Sequence, residues 1–140
     1  MKTITMYTKG AAKGNPGAAV IGVYVVDSQE KVILEKTESI GNATNEYAEY
    51  YAVVRGLQLV QEMFPEETRQ MNIELRQENK LVNSHLHATQ EIKDVSLIGH
   101  FIEIYNLRVS AFPNLTITLV QSAENAQAGS LVTQALDGSK

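Results

Sequence analysis

The chain changes its hydrophobic period once, and that change limits what it can fold into. Thr3-Ile4-Thr5-Met6-Tyr7 alternates polar and apolar residues, as a half-buried strand does. A turn-rich segment runs from Gly10 to Gly17. An apolar β-rich run from Ala18 to Asp27 comes next, then a strand from Lys31 to Ile40, with Ser28-Gln29-Glu30 as the hairpin connection. Short joints between three successive strands predict an antiparallel meander. Beyond Gly41 the spacing becomes helical, with Tyr47, Tyr50, Val54 and Leu57 on one face. The Thr44-Asn45 pair marks the start of this helix, which runs to about Met63 and is stopped by Pro65.

The remainder alternates. Asn72 to Arg76 reads as a short strand, and Glu78 to about Ala88 as a helix. A longer helix spans Val95 to about Ala111, with Ile98, Phe101, Ile102, Tyr105 and Val109 on one side. Leu115, Ile117 and Leu119 alternate with threonines in a final strand, and Ala128, Leu131, Val132 and Ala135 mark a terminal helix. The order βββαβααβα predicts an α/β fold: a five-stranded mixed sheet, three strands antiparallel and two parallel, with helices on both faces. Residues 1–140 hold no repeat or linker and are expected to form one domain.

Composition excludes several classes of chemistry. There is no cysteine, so disulfides, thiolate zinc sites and a cysteine nucleophile are absent together. No run is apolar enough for a signal peptide or a membrane span, and a soluble, cytoplasmic protein is expected. Net charge is −4 with no Lys/Arg cluster, which argues against tight nucleic-acid binding, because that affinity comes from cations replacing phosphate counterions. His85 and His87 diverge on a helix and are expected on the surface; His100 has no ligand partner at motif spacing.

Four segments at the joints of this pattern resemble ribonuclease HI. Tyr7-Thr8-Lys9-Gly10-Ala11-Ala12-Lys13-Gly14-Asn15-Pro16-Gly17 is similar to that family's opening Tyr-Thr-Asp-Gly-Ser-x-Lys-Gly-Asn-Pro-Gly. Thr44-Asn45-Glu46-Tyr47-Ala48-Glu49-Tyr50 resembles its Thr-Asn-Asn-x-Ala-Glu-Tyr helix start. Gln77-Glu78-Asn79-Lys80-Leu81-Val82 stands where the family has Gly-Asp-Ser-x-Leu-Val, and Val120 to Gly129 resembles Val-x-Arg-x-x-Asn-x-x-Ala-Asp. Each segment alone is a weak signal. Their order, each at a strand end or helix start, makes them specific.

The resemblance implies a site of four carboxylates holding two Mg²⁺ or Mn²⁺ ions that hydrolyse the RNA strand of an RNA–DNA hybrid. Carried over residue by residue, the four positions are Lys9, Glu49, Glu78 and Gly129. Two carboxylates are retained, one is deleted and one is reversed in sign, so the cluster carries −1 in place of −4. Exchanging a carboxylate for an ammonium about 4 Å from a divalent ion costs on the order of 10 kcal/mol at an effective dielectric near 20. No metal and no cofactor are therefore expected. Glu46 replaces an Asn that the resemblance places against the hybrid, Leu119 stands where many members have a catalytic His, and Ser122 where relatives have Arg.

Two readings of Lys9 stay open: a solvated lysine at a strand end, or an ammonium occupying the metal position and pairing with Glu49 and Glu78. The functional expectation is a non-catalytic ribonuclease H-like domain that binds nucleic acid weakly, an RNA–DNA hybrid being the implied ligand, through Gly14, Asn15, Thr44 and Asn45. The alternatives are a protein-interaction domain that kept only the fold, favoured by the acidic charge, and an active endoribonuclease in which Glu46, Glu124 or Asp137 enters the cleft.

Overall fold

The computed structural model describes residues 2–138. Five strands form one sheet: β1 (Thr3–Gly14), β2 (Gly17–Asp27), β3 (Val32–Ala43), β4 (Asn72–Gln77) and β5 (Leu115–Leu119), in the spatial order β3-β2-β1-β4-β5. β1, β2 and β3 pair antiparallel, whereas β4 lies parallel to β1 and β5 parallel to β4. The helices are α1 (Asn45–Met63), α2 (Lys80–Leu86), α3 (Ile98–Ser110) and α4 (Ala126–Gly138). This is the expected mixed sheet and element order. No helix among the described residues is long and apolar enough to cross a membrane.

β1 is twice as long as its alternation suggested, because the turn-rich segment is mostly strand. Pairing with β2 is continuous from Ile4↔Asp27 to Gly14↔Gly17, which leaves only Asn15 and Pro16, joined by a cis peptide bond, at the tip. Gly10 serves the packing of a helix and not a turn: a Cβ there would fall 2.2 Å from the carbonyl carbon of Ala48. The missing side chain lets α1 press directly onto β1.

Alternate residues of β1 face opposite layers. Ile4 and Met6 join Val23, Val25, Ile73 and Leu75 under α1, α2 and α3, where Tyr50, Val53, Leu57, Leu97, Ile104 and Phe112 complete the main core. α4 covers the other face. Gly22 lies beneath it, with Ala128 and Val132 close to where a Cβ would stand.

Helix starts are set by local polar groups. The Thr44 hydroxyl accepts the Tyr47 N–H at 3.1 Å and caps α1, a bond worth about 1 kcal/mol. α2 begins two residues later than expected, because the Asn79 side chain accepts the Val82 N–H at 3.0 Å and takes the cap position. Its inward residues are Val82, His85 and Leu86. His85, expected on the surface, is 3% exposed, with Nδ1 2.7 Å from the Tyr50 hydroxyl. Burial pushes the His85 pKa down, against a hydrogen bond to the Glu91 backbone, and pushes the Tyr50 phenol up.

α3 holds its apolar residues differently from the other helices. Its core contacts come from Ile104, with Phe101 and Leu107 packed alongside. Ile98, Ile102, Tyr105 and Val109 face solvent.

Candidate functional site

Three elements bring charge together at one end of the sheet. Lys9 lies on β1 opposite Gly22, Glu49 one turn into α1, and Glu78 in the joint between β4 and α2. The late start of α2 keeps Glu78 out of the helix. From the joint its side chain reaches the turn before α4.

Glu49 is held by the backbone. It is 6% exposed, and its Oε1 accepts the Gly10 N–H in a short hydrogen bond. The close approach of α1 that Gly10 permits is what makes this bond. Burial pushes the carboxyl up to about 7, against the pull of the Lys9 ammonium and hydrogen bonds from Gly10 and Asn79. Near neutral pH, Glu49 carries only part of a charge.

Glu78 is held by side chains. The Ser122 hydroxyl donates to its Oε2, Asn125 Nδ2 lies 3.2 Å from its Oε1, and the Lys9 ammonium lies 3.5 Å from that same oxygen. Burial would raise this carboxyl, but hydrogen bonds from Ser122 and Asn125 together with Lys9 outweigh it and hold the pKa below the ordinary carboxylate range. Asn125 is fully buried and also donates to the Thr8 carbonyl at 3.0 Å, so one amide ties the end of β4 to β1.

Lys9 therefore makes one of the two ion pairs considered from the sequence. It pairs with Glu78 and not with Glu49, whose oxygen is already committed to Gly10. Gly129 lies beside this cluster in an open groove of about 640 Å³ that Lys9, Ala11, Glu78, Ser122 and Thr133 also line. Nothing stands within 4 Å of where its Cβ would be. Glu124, one of the carboxylates considered for the cleft, is instead turned back to its own turn, accepting the Gln121 N–H at 3.2 Å. Leu119 is 38% exposed at the end of β5.

This donor set does not fit the divalent ions of the resemblance. Such ions take several unengaged oxygens in near-octahedral array. Here Glu49 is bonded to the Gly10 amide, while both oxygens of Glu78 have donors and a resident cation. Among the described residues, no three His, Cys, Asp or Glu side chains gather in a metal-binding group.

The four residues carried over as nucleic-acid contacts cluster at the β1–β2 tip and the start of α1. Asn15 Oδ1 accepts the Asn45 N–H at 2.9 Å, and Asn45 Oδ1 accepts the Ala12 N–H at 2.8 Å. Thr44 caps the helix, and Gly14 adopts φ +88°, a conformation that favours glycine. Both asparagines spend their oxygens on the fold. Neither amide nitrogen has an intramolecular acceptor among the described residues.

Sequence reasoning placed Ser122 and Asn125 in a motif without a task. Their common contact with Glu78 depends on a turn, Ser122–Asn125, that carries no hydrophobic period. The available signal was the paired exchange, Ser for Arg at 122 beside Glu for Asp at 78.

A family model described as Reverse transcriptase-like matches residues 7–135. The chain is similar to ribonuclease HI of Halobacterium salinarum, 32% identical over 131 residues that make up 94% of this chain and 63% of that protein. It thus spans less than two thirds of that relative's length. Among solved structures it is similar to LC11-RNase H1, isolated from compost by a metagenomic approach, with a TM-score of 0.92, 34% identity and coverage of 99% of this chain and 98% of that one. The same LC11 enzyme in complex with an RNA/DNA hybrid gives a TM-score of 0.91 at 34% identity, covering 96% of this chain and 97% of that one.

Proposed function

The chain belongs to the reverse transcriptase-like, ribonuclease H-type family, and from that premise we propose that it is a nucleic-acid-binding domain that does not hydrolyse its ligand. The observation that carries this reading is the Lys9 ammonium 3.5 Å from Glu78, in the place where the resemblance puts the metal ions. A resident cation of this kind satisfies the retained carboxylate internally. It also repels a second cation, and so opposes metal loading by charge as well as by occupation.

Binding falls to the other half of the site, the β1–β2 tip and the start of α1. The hybrid complex of the LC11 relative makes an RNA–DNA hybrid the first ligand to test. The Asn15 and Asn45 amide nitrogens, with the backbone around Gly14, offer neutral donors to sugar and phosphate oxygens. Because these donors are neutral and the chain carries −4, affinity should be weak and its salt slope shallow, one or two released counterions and not six to ten.

The test is a fluorescence titration with RNA–DNA hybrid, duplex DNA and RNA at two salt concentrations, alongside cleavage assays in Mg²⁺ and Mn²⁺. Binding without cleavage, weakened by Asn45→Ala, is the expected result. Absence of binding at low salt, or cleavage that Glu49→Gln abolishes, would overturn it. The double substitution Lys9→Asp with Gly129→Asp should restore divalent-ion binding, read by calorimetry, since position 129 has room for a side chain.

A further inference from the structure

We propose that the hollow between α2 and α3 binds a small aromatic carboxylate, held by Arg108 at its rim. The hollow has a volume of about 550 Å³ and is walled by Leu86, Phe101, Ile104, Tyr105, Arg108 and Phe112. Small-molecule sites of roughly 300–1,000 Å³ combine an apolar, aromatic lining with a few polar groups in this way. Leu86, Ile104 and Phe112 belong to the main core and give the hollow a fixed floor. Phe101 and Tyr105 lie four residues apart on α3, so both rings stand on one wall. A flat aromatic body offers such rings more contact than an alkyl chain does.

Arg108 sets the charge of the ligand. The other three arginines of the chain are spent on the fold. Arg55 pairs with Glu38 at 2.9 Å and Arg76 with Glu74 at 3.0 Å. Arg69 donates to the Val109 and Ser110 carbonyls at 3.0 and 2.9 Å, and so supplies the cation that the C-terminus of α3 favours. Arg108 is relieved of that task. Among the described residues it makes no ion pair with a carboxylate, and its one polar contact is the Leu86 carbonyl at 3.5 Å. That distance is too long for a good hydrogen bond, which leaves a planar fork of donors that matches a carboxylate bidentately.

The rim carries a second sign of use. Ala88 lines the hollow at φ +59°, a conformation that glycine adopts without strain, so its methyl group is kept there against a backbone penalty. The hollow lies beside α3, away from α4 and the groove at Lys9, and its occupancy is therefore read separately from nucleic-acid binding.

A methyl NMR titration of the full chain with naphthylacetate, with no nucleic acid present, tests the proposal. A dissociation constant on the order of 0.1–1 mM is expected for a ligand of this size. Shifts should appear at the methyl groups of Leu86, Ile104 and Val109, which line the hollow. Naphthylacetamide, which has the same shape without the charge, should bind about tenfold more weakly. Arg108→Gln should weaken the acid by about the same factor and leave the amide unaffected, which separates a lost ion pair from a disturbed fold. Equal affinity for acid and amide, an acid indifferent to Arg108→Gln, shifts confined to other methyl groups, or no binding at about 5 mM would each overturn the proposal.

Discussion

Glu49 and Glu78 face the same cleft, yet their environments move them in opposite directions. Glu49 is fixed by one backbone amide in a dry wall, so its charge is penalised and its pKa rises to about 7. Glu78 sits among a hydroxyl, an amide and an ammonium, and its pKa falls. Partners and burial matter here more than shared ancestry of position. One carboxylate behaves as part of the core packing and the other as the centre of a polar network.

The largest effect should come from removing the close approach that pins Glu49. Gly10→Ala puts a methyl group against the Ala48 backbone, and backbone cannot swing aside as a side chain can. A loss of about 3 kcal/mol or more is expected in urea denaturation. If the loss were below about 1 kcal/mol, the claim that β1 and α1 are in direct contact would not stand.

The pH dependence separates the two carboxylates next. Between pH 4.5 and about 7 native Glu49 keeps a proton that the unfolded chain releases. Its contribution is therefore complete below pH 4.5 and is lost as pH rises through about 7. The loss should amount to about 3 kcal/mol, and Glu49→Gln should abolish it. Glu78 acts with the opposite sign: its contribution is present above the ordinary carboxylate pKa and disappears as pH falls through its lowered value. Carbon-detected NMR titration of the two carboxyls, together with denaturation from about pH 8 down to about pH 2, measures both.

The smallest effect on stability should be that of Lys9→Met. The ion pair is partly exposed, 27% on the lysine side, so its removal should cost no more than about 1 kcal/mol. Its signature is electrostatic. Both carboxyls should titrate higher, Glu49 above 7 and Glu78 closer to the ordinary range. If neither midpoint moved, Lys9 would be a solvated lysine after all.

Much of this was legible in the residues. The switch of period after Gly41, the Thr44 cap and the alternation of Leu115 to Leu119 each act within a few residues, and the structure places all three as expected. The length of β1 was not legible, because glycine marks both a turn and a close contact, and only the position of α1 tells them apart. The direction of the α3 stripe was equally hidden. Ile98, Ile102, Tyr105 and Val109 have a helical period whichever way they face, and packing against α1 buries Ile104 instead. His85 was misplaced because its burial depends on the Tyr50 hydroxyl, a partner 35 residues away on another helix. Lys9 could be weighed only as a balance of two partners, since the commitment of Glu49 to Gly10 depends on a contact across 39 residues.

The vacant surroundings of Gly129 have a practical consequence. A fluorophore or spin label attached there, through Gly129→Cys, would meet no neighbouring atom at its first carbon and compete with no native thiol. It would stand at the rim of the groove that Lys9 and Glu78 line. The arrival of any ligand could then be followed as a spectroscopic signal, without waiting for a reaction product.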